Sequence, residues 1–435
     1  MDNDSDIKKR CHINTNEEGD RFVGIKADSD DAVVYFPIGY QLPEKDAEIR
    51  RDIKHLFQVL SEFTEKKDRV LAMNKFEAPQ FVDFPINAYL EVINYYMDKN
   101  GAYYTESEPM FKTSSRGNMD WAKTFRNQKP LMQPNGSPVY TQFTVRTSTP
   151  NDNKLITHIH RYCVYESFKK LGWLYVPNMP EPPQIPLNAK RFIIILNDKL
   201  AHTNNDKDKR LFKAMKDMLE YIDEKTSEKQ FYFGTEYFET VWEKLLDRVF
   251  GEKNKQDFFP KTHWTLRYGK YKDKDKYPLE LDSIMIYKDK YYVLDAKYYR
   301  YGITGEPKHL PNSSSVNKQI TYGEYIQRQR NLSNESLFNA FIMPYNMANN
   351  HFGLSEPFGN IGEAVGEWKT NKFNYERIQG IVVDTRYLMH HYRGNPQKSI
   401  EALSQSIEEA FTTKNEAEVN VKKEILMTNE QVACT

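Results

Sequence analysis

Cysteine is scarce in this sequence. Its three thiols, at Cys11, Cys163 and Cys434, are scattered, odd in number and without CxxC spacing. That excludes a disulfide framework and fits a reducing, cytoplasmic compartment. Long apolar runs are missing too. The longest, around Phe192 to Leu196, has the length of a buried strand and not of a membrane span. The first ten residues, MDNDSDIKKR, hold no apolar segment of the signal-peptide kind. Nor is there an excess of charge of one sign, since Lys+Arg and Asp+Glu both total 61. The chain is therefore no polycation that coats nucleic acid, and any phosphate-binding surface must be local. No GxxxxGK[ST] loop offers a nucleotide site, and no helix-turn-helix, zinc-finger or homeodomain pattern is visible.

Aromatic residues, by contrast, are plentiful, with 29 Tyr and 25 Phe among 435 residues. They speak for packed cores and against wholesale disorder. The length allows two to three domains of roughly 100–200 residues each. Residues 1–20 are polar and read as a flexible tail. Residues 21–190 read as an α+β domain suited to DNA recognition or partner docking. They hold helical spacings at 46–66, 87–97 and 154–172, and between these a stretch rich in Ser, Gly, Asn, Pro and basic residues with short β-like pieces such as Val139 to Val145. Five prolines between Pro177 and Pro186 close this region. Residues 191–411 read as a mixed α/β domain and 412–435 as a polar tail. In that second domain Phe192 to Leu196 reads as a strand, and Arg210 to Ile222 and Glu236 to Phe250 as helices. Two strands, Leu279 to Tyr287 and Lys290 to Tyr298, flank a tight turn. Helix Val316 to Arg328 and strands Leu337 to Met343 and Ile378 to Val383 follow.

The strand pair carries the chemistry. Side chains alternate along a strand, so Asp295 and Lys297 point to one side. If Tyr287 pairs with Lys290 across a two-residue turn, Asp282 falls opposite Asp295. Strands disfavour aspartate, and two in apposed apolar strands need a reason. Two adjacent carboxylates oppose each other's ionisation, and a divalent cation removes that penalty. Mg²⁺, with Mn²⁺ as a substitute, suits one or two carboxylates plus water and phosphate oxygens. Lys297 can then orient or deprotonate a water, or stabilise phosphate oxygens. The plainer reading is an exposed hairpin with ordinary surface charges.

The pattern Asp282, twelve residues, Asp295-x-Lys297 on a hairpin resembles the PD-(D/E)xK nucleases, although Leu281 stands where that motif has proline. The resemblance implies a mixed sheet flanked by helices, metal ligation by Asp282 and Asp295, and catalysis by Lys297. It also implies an acid from a preceding helix. Glu243 and, as the alternative, Glu239 lie four residues apart on one helix face. Gln319, opening a later helix, is a framing residue. Lys261, Arg267 and Lys270, just before the first strand of the pair, and Arg116 and Lys123, further upstream, are candidate DNA contacts. His158, His160 and Cys163 form an HxHxxC string without a fourth ligand, and read as part of a helix.

Further segments extend the likeness. Arg116 to Thr124, Asn151 to Cys163, Leu171 to Trp173, Phe233-Gly234, Val241 to Glu243, Leu294 to Tyr299, Lys318-Gln319 and Gly380 to Asp384 together resemble the LlaJI family of restriction endonucleases from about Gly117 to Tyr392. This implies an endodeoxyribonuclease, or the nuclease subunit of a restriction system of the LlaJI, BsuMI or McrBC type, acting on double-stranded DNA in defence against foreign DNA. Some such systems pair the nuclease with a McrB-like AAA+ GTPase, and many restriction nucleases act as homodimers. Two other functions stay open: a non-cutting DNA-binding or GTPase-stimulating subunit, and a DNA-repair nuclease.

Overall fold

The computed structural model describes residues 6–27, 32–64, 81–175, 179–223, 230–263, 267 and 278–411. Two compact units emerge. One takes its described residues from 1–83 and 230–435, the other from 84–229. The proline-rich stretch is therefore not where the chain divides, and residue 190 lies within a helix.

The chain opens with α1 (Asp6–Lys9), β1 (Cys11–Ile13), β2 (Val23–Ala27), β3 (Ala32–Phe36), α2 (Asp46–Phe63) and β4 (Phe81–Asp83). Residues 6–20, expected to be loose, are thus partly ordered. Backbone pairing of β1 with β3 supplies the partner that its polar sequence does not advertise.

The second unit follows with α3 (Ile86–Asp98), β5 (Glu106–Ser114), α4 (Trp121–Asn127), β6 (Leu131–Met132), β7 (Pro138–Val139), β8 (Phe143–Asn151), α5 (Leu155–Leu171), α6 (Ala189–His202) and α7 (Asp206–Asp223). Strands β5 and β8 form an antiparallel ribbon. Phe192 to Leu196 lies in α6 and is not a strand. Its buried positions are Ala189, Phe192 and Leu196, a helical spacing, while Ile194 is exposed. Asn188 caps the helix by accepting from the Arg191 N–H. The apolar run there is one side of an amphipathic helix with an exposed isoleucine added. His160 accepts the Tyr104 N–H at Nδ1, 2.8 Å away, and is fully buried beside the buried Cys163.

The chain then returns to the first unit through β9 (Gln230–Thr235), α8 (Phe238–Phe250), β10 (Ser283–Tyr287), β11 (Lys290–Ala296), α9 (Tyr301–Thr304), α10 (Ser313–Arg330), β12 (Leu337–Tyr345), β13 (Phe358–Val365), β14 (Arg377–Asp384), α11 (Thr385–His391) and α12, residues 397–411. Two mixed sheets result, ordered β1-β3-β2-β9-β4 and β10-β11-β12-β14-β13. In the second, β10 and β13 run antiparallel to their neighbours and β11, β12 and β14 run parallel. Helix α10 packs on one face through Val316, Ile320 and Ile326 against Ile284, Val293, Phe341 and Ile378. Helix α8 packs against β10 and β11, and its Trp242 indole donates to the Ile342 carbonyl at 3.2 Å.

The first sheet depends on a close approach. Gly24 and Gly234 are directly paired on β2 and β9, with φ of 142° and 157°. A Cβ on Gly234 would stand 2.1 Å from the Val23 carbonyl oxygen, and one on Gly24 would stand 2.1 Å from that of Phe233. Only glycine fits either place. Gly234→Ala is expected to cost about 2 kcal/mol or more in a denaturant titration; an unchanged midpoint would refute this account of the strand pair.

Candidate active site

The turn sets the register of the hairpin. Lys288 and Asp289 both have positive φ, 49° and 61°, the pattern of a type I′ turn, whose twist matches that of the strands. Tyr287 pairs with Lys290 and Ser283 with Leu294, so one further step sets Asp282 beside Asp295. The Asp282 carboxylate accepts the Ala296 N–H at 2.8 Å. Asp295 is buried and its Oδ2 lies 2.6 Å from the Lys297 ammonium. Asp282, Asp295 and Lys297 share strand parity with Ile284 and Val293, which pack toward α10.

Burial pushes the Asp282 carboxyl up to about 7, and the neighbouring Asp295 carboxylate adds to the rise; the Ala296 N–H and Lys297 pull it back. Glu243, half-buried on α8, is also raised, first by burial and then by the like charge of Asp282, while Lys255 and Lys318 oppose the rise. Glu239 is exposed. The structure thus brings Glu243 into the field of Asp282. Among the described residues no three His, Cys, Asp or Glu side chains converge as a ready-made metal cluster. The donor set is the aspartate pair, and two carboxylates that resist joint ionisation suit a hard divalent cation that completes its shell with water.

The surroundings hold the pair in place. The Gln319 amide donates to the Val293 carbonyl at 2.8 Å, and Asn339 donates to the Gln319 carbonyl at 3.0 Å. Gln319 therefore anchors α10 to the strand that carries Asp295. The Tyr322 hydroxyl donates to the Glu280 carbonyl at 2.5 Å, just ahead of Asp282. Tyr298 accepts in both of its bonds: its hydroxyl takes the Ile38 N–H at 2.9 Å, and its carbonyl takes the Asn16 side-chain amide at 3.3 Å. Lys255 was not legible in the sequence. Its ammonium donates to the Asp282 carbonyl at 2.6 Å and pairs with Asp247 at 3.0 Å. Its acceptor is a backbone oxygen, which no residue pattern announces.

The candidate DNA contacts separate. Lys261 and Arg267 are exposed in this unit, and Lys270 lies outside the described residues. Arg116 and Lys123 belong to the second unit, where the Lys123 ammonium sits 2.9 Å from the centre of the Phe111 ring. No helix among the described residues is long and apolar enough to cross a membrane.

Residues 22–362 match the model of the LlaJI restriction endonuclease family. The chain belongs to the LlaJI restriction endonuclease family. The match takes in β2 and α2, ahead of the motifs from Gly117 onward, and ends before Gly380 to Asp384. The chain is also similar to the type II restriction enzyme BsuMI component YdjA of Bacillus subtilis (strain 168), at 24% identity over 273 residues. That alignment covers 60% of this chain and 57% of the relative, so the chain spans less than two thirds of the relative's length. Among solved structures it aligns with a chain of the refined half-complex from the tetradecameric assembly of Thermococcus gammatolerans McrB AAA+ hexamers with bound McrC. Identity there is 14% and the TM-score 0.37, over 88% of this chain and 83% of that one.

Proposed function

We propose that this LlaJI-family protein is a metal-dependent endodeoxyribonuclease with a PD-(D/E)xK-type core, cutting double-stranded DNA in restriction of foreign DNA. The observation that carries this reading is the convergence of Asp282 and Asp295 at neighbouring strand ends, with Lys297 2.6 Å from Asp295. Asp282 and Asp295 would hold Mg²⁺ or Mn²⁺, with Glu243 reaching it through water. The ion, when bound, supplies a water of lowered pKa and offsets phosphate charge. Asp295 keeps the Lys297 ammonium aimed at the reacting phosphate, where its charge favours the transition state over the ground state. Gln319, Tyr322 and Lys255 fix the strand ends so that these groups need not reorganise. The test is cleavage of unmethylated duplex DNA with and without Mg²⁺; a protein inactive in every divalent cation and with every partner would end this reading. Preference for branched over intact duplex DNA would point to repair instead of restriction.

A second reading, a nuclease subunit that works with a McrB-like AAA+ GTPase, is favoured by the β5–β8 ribbon, α4 and the β6–β7 pair. Met110, Phe111, Trp121, Phe125, Leu131, Met132 and Val139 are all exposed there. Arg126 lies on α4, and Arg146 is paired with Phe111 across the ribbon. Aromatic, Met and Arg side chains together mark protein interfaces. Leu131→Asp with Met132→Asp is expected to abolish co-elution with a co-expressed GTPase of that kind. Unchanged co-elution would remove the β6–β7 pair from the interface.

A further inference from the structure

A cavity of about 550 Å³ lies in the same unit as the candidate site. Gln256, Asp257 and Lys261 form one wall, and Tyr325, Gln329 and Arg330 form the other. Both walls continue elements that already hold Asp282. The first follows directly from Lys255, which donates to the Asp282 carbonyl. The second is α10, which carries Gln319 and Tyr322. Tyr322, Tyr325 and Gln329 are spaced three and four residues apart and so share a helix face. From Gln319 to Gln329 the helix rises roughly 15 Å, about four nucleotides of a DNA strand along its axis.

The charges fit an anion. Arg328 and Lys369 are both paired with Glu324, but Lys261 and Arg330 make no ion pair among the described residues. The Arg330 guanidinium lies 4.6 Å from the centre of the Phe258 ring, which fixes its direction. Among the described residues Asp257 is the one carboxylate on the walls. Two amides and a phenol hydroxyl complete a set of donors of the kind that bind phosphate oxygens. A cation at a helix C-terminus is ordinary in itself, since the helix dipole favours it. Here, however, a second cation and three neutral donors from other positions face the same space.

We propose that this cleft holds a backbone phosphate of the DNA strand, a few nucleotides from the scissile bond. The proposal rests on the nuclease reading for its location and adds a substrate subsite to it. A phosphate contact releases counterions, so losing one lowers the slope of log K against log[salt] by about 1. The experiment measures affinity of the full chain for a fluorescent DNA duplex in EDTA, between about 50 and 200 mM salt. Arg330→Gln is expected to weaken binding and lower the slope by about 1, and Lys261→Gln with Arg330→Gln by about 2. Asp257→Asn is expected to tighten binding, a gain that misfolding cannot produce. Wild-type affinity and slope in all three variants would overturn the proposal, as would a wild-type chain that binds no duplex. A chain that binds with these slopes yet cuts under no condition would sink the nuclease reading and leave the subsite standing.

Discussion

Alanine at Asp282, Asp295 or Lys297 is expected to lower DNA cleavage on the order of a thousandfold or more in each case, about 4 kcal/mol of transition-state stabilisation. The three act as one unit. Asp282 and Asp295 are set side by side by the hairpin register, and Asp295 is the 2.6 Å partner of Lys297. The double variant Asp282→Ala with Asp295→Ala should therefore be little worse than either single change. Lys297→Arg should fail almost as fully, because a planar guanidinium cannot replace a compact ammonium in the space beside Asp295. The helix acids separate the alternatives. Glu243→Gln should cost about tenfold, in keeping with a contribution through water, and Glu239→Gln should cost little, since Glu239 is exposed. Rates are measured on unmethylated duplex with Mg²⁺, with circular dichroism as the control for folding. Full activity in all three alanine variants would remove the hairpin from catalysis, and a larger loss for Glu239→Gln would move the helix acid.

Much of this site was legible because its logic is local. A two-residue turn with Tyr287 and Lys290 on either side sets the register, and strand alternation then decides which side chains share a face. The helices 46–63 and 313–330 were legible for the same reason, as one period runs through each. What escaped is non-local or lacks a side-chain signature. Strand β2 pairs with β9 some two hundred residues later, and the reason that Gly24 and Gly234 are glycines exists only once the two strands meet. Residues 21–83 therefore read as part of an N-terminal domain when their sheet in fact needs β9. Strand β13 holds Gly359 and Gly362 and is half exposed, a weak strand signal at a sheet edge. Phe192 to Leu196 misled because five apolar residues in a row fit either period, and only the flanking Ala189 and exposed Ile194 decide it.

Asp282→Asn is expected to destroy activity and yet stabilise the metal-free protein. The Asp282 carboxyl is raised from 3.8 to about 7, chiefly by burial and then by Asp295. Between about pH 4 and pH 7 the folded chain holds a proton that the unfolded chain has released. Stability therefore falls as pH rises through that window, and is lowest above it. A rise of this size corresponds to at most about 4 kcal/mol. Asparagine removes the charge and leaves an acceptor for the Ala296 N–H. The variant should melt higher than wild type at pH 8, with the gain fading toward pH 4 and vanishing below it, where wild type is protonated in both states. Mg²⁺ should reverse the order, because an ion that binds only the folded wild type adds stability with its concentration, while asparagine offers half the ligand pair. Melting curves at pH 4, 6 and 8, each with and without Mg²⁺, test all of this. A variant that melts below wild type by the same margin at every pH would show that Asp282 is held for its hydrogen bond to Ala296. In that case the strain between the two carboxylates would not be what a metal ion relieves, and the nuclease reading would lose its physical basis.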